Sequence, residues 1–186
     1  MISANDLRAG NVYEYDGSHW MVLDIMLNKT AMRKMVVKVK SKNIKTGAIT
    51  DITFNGGEKV EIVHLDKRPM QYLYDDGDGL VFMNMETFEQ ISITKERLAW
   101  ELNFLKENAN VDITSLNGEI IGIALPTKVA LQIVNTEPAV RGDTVNKAMK
   151  DAELETGYHV RVPLFIESGE TIVVRTDTGE YDGRAN

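Results

Sequence analysis

The chain has no cysteine among its 186 residues, which excludes disulfides, thiolate nucleophiles and cysteine-ligated metals. Its three histidines, His19, His64 and His159, are too far apart in sequence to form a metal-ligand motif. No apolar run approaches the ~20 residues that are needed to cross a bilayer. The N-terminus also lacks the basic and apolar regions of a signal peptide. Together with the missing cysteines, this predicts a cytoplasmic protein with no membrane partner.

Enzyme motifs are missing as well. The sequence contains no Gly-x-Ser-x-Gly, no Walker-type phosphate loop and no Gly-x-Gly-x-x-Gly. The run Asp75-Asp-Gly-Asp-Gly79 is acidic, but it is short and lacks the glutamate that closes a calcium loop, which favours a hairpin turn. We therefore expect a binding protein and not an enzyme, with no catalytic residue, no metal and no cofactor.

Charge is distributed unevenly along the chain. The formal net charge is -7, yet residues 29–45 hold seven basic residues and no acidic one. A basic segment on an acidic protein suggests one local contact with a polyanion such as RNA, whose phosphates attract lysine and arginine. The alternative is a solvated hairpin whose lysines protect a strand edge from pairing. The segment includes the candidate phosphate contacts Lys38, Lys40 and Lys42.

Short alternating runs separated by turn signals dominate the rest of the pattern. Hairpins are predicted through Asp16-Gly17 and Asn117-Gly118, and strands at about 20–27 and 35–43 flank the basic tip. A single helix of about 10–14 residues is predicted from Thr94 to Asn108, because Leu98, Leu102 and Leu105 follow at helical spacing. Residues 145–153 are polar and small, which predicts a loop or a weak helix. Regular short strands with little helix favour small antiparallel barrels, and the length suits three.

Many short segments, in order, resemble the bacterial elongation factor P family along the whole chain. In the first two thirds they are Met1–Gly10, Met21–Asp24, Lys42–Gly47, Met70–Tyr74 and Lys106–Asn108. In the last third they are Thr136–Pro138, Gly142–Thr144, Leu154–Gly157, Val162–Pro163 and Thr178–Tyr181. Each segment is weak evidence alone, but their order and spacing together are specific.

The resemblance implies an all-β fold of three small barrels with one short helix. An SH3-like (KOW-type) domain over residues 1–64 would be followed by two OB domains, over 65–128 and 129–186, in an elongated L-shape. It implies a monomer that binds the 70S ribosome between the peptidyl and exit sites and contacts peptidyl-tRNA. The family stimulates peptide-bond formation at consecutive-proline stalls, where the ribosome itself is the catalyst. The runner-up is a paralogue or RNA-binding barrel protein without that rescue activity.

The tip of the first domain departs from the family pattern. The family reads Pro-Gly-Lys-Gly there, often with a modified lysine, whereas gapless alignment places Thr30-Ala31-Met32-Arg33 at the tip. Methionine cannot carry a lysine-type modification. The contact to the tRNA acceptor end is expected from the residues of this tip and its flanks, namely Lys29, Thr30, Ala31, Met32, Arg33 and Lys34.

Three interpretations of this tip are open. Met32 inserts as a flexible, polarizable side chain, with Arg33 or Lys34 contacting phosphate and no modification needed. Alternatively, the tip is shifted so that Lys34 is displayed and modified. In the third, the chain is a divergent paralogue.

Further contacts follow from the family match at the C-terminal end. Gly142, Asp143 and Thr144 correspond to a family loop that faces the exit site, although Gly-Asp also serves an ordinary turn. Arg141 beside it offers a phosphate contact. Tyr181 and Arg184 match a pair that lies near tRNA or ribosome in the family.

Overall fold

The computed structural model describes residues 1–28, 35–138 and 148–185. In these residues β-strands dominate, and helix is confined to two 3-10 segments, Ala4–Asp6 and Glu101–Phe104. The chain forms two compact units. One comprises Met1–Asp66 with Ser115–Ile121, and the other comprises Lys67–Thr114 with Gly122–Asn186. The predicted all-β class is confirmed.

The first sheet has six strands in the order β1-β6-β2-β3-β4-β5. These are β1 Ile2–Ser3, β2 Val12–Tyr15, β3 Ser18–Asn28, β4 Val36–Asn43, β5 Ile49–Asn55 and β6 Lys59–Val63. Alternate residues of the strands enter one apolar core, which includes Tyr13, Val37, Val39 and Phe54. The Tyr13 hydroxyl lies 2.7 Å from Ser41 Oγ inside this core, so its polar atom has a partner.

The predicted hairpins of the first sheet are confirmed. Strands β2 and β3 meet at Asp16-Gly17, both with positive φ. Strands β3 and β4 run antiparallel, from Trp20 opposite Asn43 to Asn28 opposite Val36. The two strands carry the chain toward residues 29–34, which lie outside the described residues.

The second sheet has five strands in the order β11-β10-β7-β8-β9. They are β7 Asp66–Asp75, β8 Gly79–Met83, β9 Gln90–Thr94, β10 Asn110–Leu116 and β11 Glu119–Ala124. The predicted turn at Asn117-Gly118 is present, with φ of 51° and 83°. These are the angles of a two-residue hairpin loop that Asn-Gly adopts with little strain.

The third sheet also has five strands, in the order β14-β13-β12-β15-β16. They are β12 Lys128–Thr136, β13 Met149–Leu154, β14 His159–Pro163, β15 Thr171–Arg175 and β16 Tyr181–Arg184. Its core contains Leu131, Ile133, Val162 and Ile172, together with Phe104, which comes from the segment before β10.

The predicted helix from Thr94 to Asn108 is wrong. Strand β9 ends at Thr94, turns follow, and the helical part of this described segment is the 3-10 turn Glu101–Phe104. The Leu98 amide donates to the Lys95 carbonyl and Asn103 to Trp100, both across three residues, as in tight turns. The apolar residues of this segment pack against other parts of the protein, as Phe104 does in the third core. This tertiary packing outweighs their helical spacing.

The expectation of a loop or weak helix over residues 145–153 is also wrong where the structure describes it. Met149–Leu154 is strand β13, which pairs with both β12 and β14. Ala152 and Leu154 point into the third core, while Asp151 and Glu153 are on the other face. The alternation is real but is hidden by small and charged residues, so the run does not look apolar. Residues 145–147 lie outside the described residues.

Candidate nucleic-acid interface

A row of lysines lies along the outer face of β4. Val37 and Val39 are buried in the first core, so strand geometry turns Lys38 and Lys40 outward, with Lys42 partly exposed beyond them. Residues two apart on a strand are about 6.7 Å apart, from a rise of about 3.3–3.4 Å per residue. The structure therefore brings the three predicted phosphate contacts onto one face, at regular spacing.

Carboxylates on the neighbouring strands lie beside part of this lysine row. Lys40 is opposite Asp24 on one side and Asp51 on the other, and Lys38 Nζ lies 2.9 Å from Asp51 Oδ2. Both side chains of that ion pair are about half exposed, so it is readily exchanged for a phosphate contact.

At Lys42 the cross-strand neighbours differ. They are Met21 and Ile49, neither of which is a carboxylate. Lys42 is therefore the member of the row whose charge the sheet register compensates least.

Two apolar side chains of β3 are exposed: Met26 lies beside the lysine row, and Leu27, opposite Val37, lies on the other face of the hairpin. Met26 is 57% exposed and Leu27 52% exposed, close to the end of β3 that leads to the tip segment. Met26 is directly opposite Lys38. This end of the hairpin thus places cations, which suit contact with nucleotide phosphates, next to an exposed apolar group.

Tyr181 and Arg184, the predicted C-terminal contacts, both lie on β16. Tyr181 packs against the third core. The Arg184 guanidinium is 4.9 Å from the Phe165 ring centroid, and its Nε is 2.9 Å from Glu170 Oε2. These contacts orient an arginine that remains about half exposed. Its contact with RNA stays a prediction.

Two groups of predicted residues lie outside the described residues. They are the tip residues Lys29, Thr30, Ala31, Met32, Arg33 and Lys34, and the loop residues Arg141, Gly142, Asp143 and Thr144. Of the predicted contacts, the structure therefore describes the lysine row on β4 and, separately, Tyr181 and Arg184 on β16.

The acidic run Asp75–Gly79 forms the predicted hairpin turn between β7 and β8. Asp75 pairs with Lys95 at 2.7 Å, and this contact together with the Gly77 amide lowers the pKa of the Asp75 carboxyl. Backbone amides of Gly79 and Asp78 donate to Asp76 and lower the pKa of its carboxyl. Both carboxylates are used by the turn itself.

A joint of three aromatic rings, which no local sequence pattern predicts, ties the segment before β10 to the third sheet. Phe104 lies 5.1 Å from Trp100 and 5.1 Å from Tyr158, centroid to centroid. The Trp100 indole N–H donates to the Thr176 carbonyl at 2.8 Å, and Thr156 Oγ1 donates to the Asn103 carbonyl at 2.6 Å. The partners of these two hydrogen bonds are 76 and 53 residues apart in sequence, so local periodicity carries no signal for them.

Metal and membrane sites do not emerge from the described residues. No group of three or more His, Cys, Asp or Glu side chains in residues 1–28, 35–138 and 148–185 has the geometry to hold a metal ion. Over the same residues, no helix is long and apolar enough to span a membrane.

Three family models together match nearly the whole chain. The elongation factor P KOW-like domain matches residues 3–60, the elongation factor P OB domain residues 65–123, and the elongation factor P C-terminal domain residues 129–184. The chain belongs to the elongation factor P family. This membership confirms the resemblance and identifies the chain as a translation factor with a KOW-like domain and OB domains.

Individual proteins of this family are also similar to the chain over their full length. The chain is 48% identical over 185 residues to elongation factor P from Moorella thermoacetica, covering 100% of both chains. It is 49% identical to the protein of the same name from Symbiobacterium thermophilum, also covering 100% of both. Identity to elongation factor P from Mycoplasma mycoides subsp. mycoides is 46% over 184 residues, covering 99% of this chain and 100% of that protein.

Proposed function

We propose that this elongation factor binds the ribosome between the peptidyl and exit sites and stimulates peptide-bond formation at consecutive-proline stalls. The observation that carries the proposal is the β3–β4 hairpin, which presents Lys38, Lys40 and Lys42 on one face and leads into the basic tip segment. Family membership supplies the ribosome as partner. The protein would act in the cytoplasm as a monomer, through domains at residues 1–64, 65–128 and 129–186.

The chemistry required of the factor is positioning. The proposed contact holds the acceptor end of peptidyl-tRNA in the geometry that favours attack, and this lowers the entropic part of the barrier. No acid, base or nucleophile of the factor is needed, because the ribosome performs the reaction. Lysines of the β3–β4 hairpin would neutralise phosphates, which provides affinity but little sequence selectivity.

The tip sequence makes this factor independent of lysine modification in our proposal. Met32 stands where the family pattern has its lysine, so an unmodified thioether would approach the acceptor end. Arg33 and Lys34 would supply the phosphate contact. Display and modification of Lys34 is the competing arrangement.

Reconstituted translation of a consecutive-proline reporter tests both the activity and the tip. The factor is produced in a host without modification enzymes, and full-length product is compared with a reaction without factor and with a reporter that lacks prolines. We expect rescue on the proline reporter alone. Absence of rescue with intact ribosome co-sedimentation would contradict the proposal for an unmodified factor and favour a Lys34 modification or the paralogue.

Tip variants separate charge from shape in the same assay. Met32→Ala is expected to reduce rescue less than the double variant Arg33→Gln/Lys34→Gln, because the double variant removes two cations. Equal rescue by the double variant and the parent would refute the electrostatic part of the proposal.

A further inference from the structure

A groove of about 470 Å³ opens on the first sheet, and its lining differs in chemistry from the lysine row. One wall is the β2–β3 hairpin, with Tyr15, Asp16 and Trp20, and the other wall is residues 50–53 of β5. Neither the proposed tRNA contact nor the predicted site residues use it.

The β5 wall is the edge of a sheet. Strand β5 stands last in the strand order, and within the described residues β4 is its only pairing partner. An edge strand presents unpaired N–H and C=O groups from every second residue, which can accept a further strand. Four consecutive β5 residues line the groove, so this wall contains backbone as well as side chains. An extended chain can therefore pair with it.

The opposite wall carries two aromatic side chains, Tyr15 and Trp20. Tyr15 packs edge-to-face on Phe54, with ring centroids 5.5 Å apart, and remains 41% exposed. The indole N–H of Trp20 donates to the Tyr15 carbonyl at 3.2 Å, which fixes the hairpin against its own turn. Exposed aromatic faces held in this way attract guanidinium and ammonium groups.

Carboxylates complete the lining. Asp16 and Asp51 line the groove, and no lysine or arginine is among its eight lining residues. A phosphate backbone would meet these two carboxylates, which disfavours RNA as the occupant. A lysine or arginine side chain at the hairpin wall would meet the Asp16 carboxylate beside the rings of Tyr15 and Trp20, which is the favourable combination. Because Asp51 also pairs with Lys38, Asp16 is the better position at which to test the acidic lining.

We propose that the groove between the β2–β3 hairpin and β5 binds an extended peptide segment that bears lysine or arginine at alternate positions. The segment adds to β5 through main-chain hydrogen bonds. Since alternate side chains of a strand share a face, basic residues on one face of the segment would point toward Tyr15, Trp20 and Asp16 on the hairpin wall. The partner is thus a basic protein with an extended segment. This inference does not depend on the proposed function, because it uses only the geometry of the groove.

Nuclear magnetic resonance on the full ¹⁵N-labelled chain tests it with a blocked octapeptide of alternating arginine and valine. We expect amide shifts concentrated at residues 15–20 and 50–53. An acidic octapeptide of glutamate and valine should cause none. Shifts centred on Lys38–Lys42, or no shifts, would overturn the proposal.

Backbone-methylated peptide separates strand addition from simple charge attraction. Methyl groups on alternate amides of the same arginine–valine peptide remove the donors that face β5 and keep every charge. We expect affinity to fall at least about tenfold, because several main-chain hydrogen bonds are lost together. Equal affinity of the two peptides would refute strand addition.

A matched pair of charge variants tests the acidic lining. Asp16 has a φ of 49°, a conformation that asparagine also tolerates, so Asp16→Asn removes the charge without disturbing the turn. We expect it to weaken peptide binding about two- to fivefold, as for one exposed ion pair. Asp78→Asn, in the other compact unit, should leave binding unchanged. Equal effects of the two variants would contradict the proposal.

An octauridylate titration decides between peptide and RNA. We expect RNA titrated against the chain without peptide to leave the resonances of residues 15–20 and 50–53 unshifted. Shifts of these resonances by RNA would overturn the proposal and assign the groove to nucleic acid.

Discussion

Gly179 lies so close to the Tyr158 hydroxyl that there is no room for a side chain at this position. A Cβ on Gly179 would overlap the hydroxyl oxygen and approach Trp100 Cη2 to 3.0 Å. The Tyr158 hydroxyl also donates to the Gly179 carbonyl at 3.3 Å. Tyr158 and Trp100 belong to the aromatic joint, and the absence of a side chain at Gly179 leaves room for their rings to pack there.

Gly179→Ala is therefore expected to destabilise the unit that contains it more than an ordinary glycine substitution does. A left-handed φ of 75° costs alanine about 1–2 kcal/mol, and displaced rings add about 1–3 kcal/mol. Gly169→Ala is the matched control, since Gly169 has a φ of 88° and a Cβ added there would have no neighbour within 4 Å. The stability of both glycine variants is measured by urea unfolding, followed by the fluorescence of Trp100 in chains that also carry Trp20→Phe. Equal midpoints for the two variants would contradict the steric argument.

Phe104→Ala should be among the most destabilising single substitutions of the joint. The ring is 2% exposed and contributes to the third core, so its removal leaves a cavity that costs about 3–5 kcal/mol. Phe88→Ala is the matched control, since it removes the same side chain from the surface. Phe88 is 68% exposed, so its replacement should change stability by less than about 0.5 kcal/mol. The measurement is the free energy of unfolding in urea. A loss below about 1 kcal/mol at Phe104 would count against its place in the core.

Lys42→Gln should weaken ribosome binding at low salt and reduce the salt dependence of binding. If one phosphate contact is lost, the slope of log affinity against log salt falls by about one unit. Lys59→Gln on β6 removes an equal charge from the same sheet and should leave the slope unchanged. Filter binding or co-sedimentation from low to high salt measures both. Identical slopes would show that the lysine row makes no phosphate contact at Lys42.

His159 should make the stability of the third sheet depend on pH. Its Nδ1 lies 2.7 Å from Asp151 Oδ2, and this hydrogen bond, with the charges of Asp151 and Glu153, raises the pKa of the imidazole. A group whose pKa is raised by folding contributes its full stabilisation at pH values below its pKa in the unfolded chain, which is about 6.5 for histidine. The contribution is lost as pH rises through the folded pKa.

Comparison of unfolding midpoints at acidic and at alkaline pH measures this effect. His159→Gln should remove part of the decrease in stability with rising pH, whereas His64→Gln should retain it. An unchanged pH profile in His159→Gln would show that the Asp151 contact does not contribute to stability.

Local chemistry explains which elements could be predicted from sequence. Asn117-Gly118 specified a hairpin because both residues tolerate positive φ, and the structure has that turn. The lysine row was visible in the alternation of β4 with buried valines. Its acidic neighbours Asp24 and Asp51 were not predicted, since the order of charges along the chain does not show which charges meet across the strand register.

Tertiary packing explains why the predictions for residues 94–108 and 145–153 are wrong. The spacing of Leu98, Leu102 and Leu105 matches a helix, yet Trp100 and Phe104 contribute more by joining Tyr158 than by continuing a helix. The sequence predicts a loop or a weak helix at residues 145–153 because small and charged residues hide the alternation of β13, whose strand character comes from pairing on both sides.

Sequence alone is enough to establish the all-β class, the hairpin turns, the basic segment and the family, because turn chemistry, alternation and ordered motifs are local or collinear properties. The folded structure is needed to see which carboxylates lie beside the lysines, which rings form the joint and where an edge strand borders a groove. Those features join residues that are distant in the chain, and they depend on strand register and on packing that no local pattern encodes.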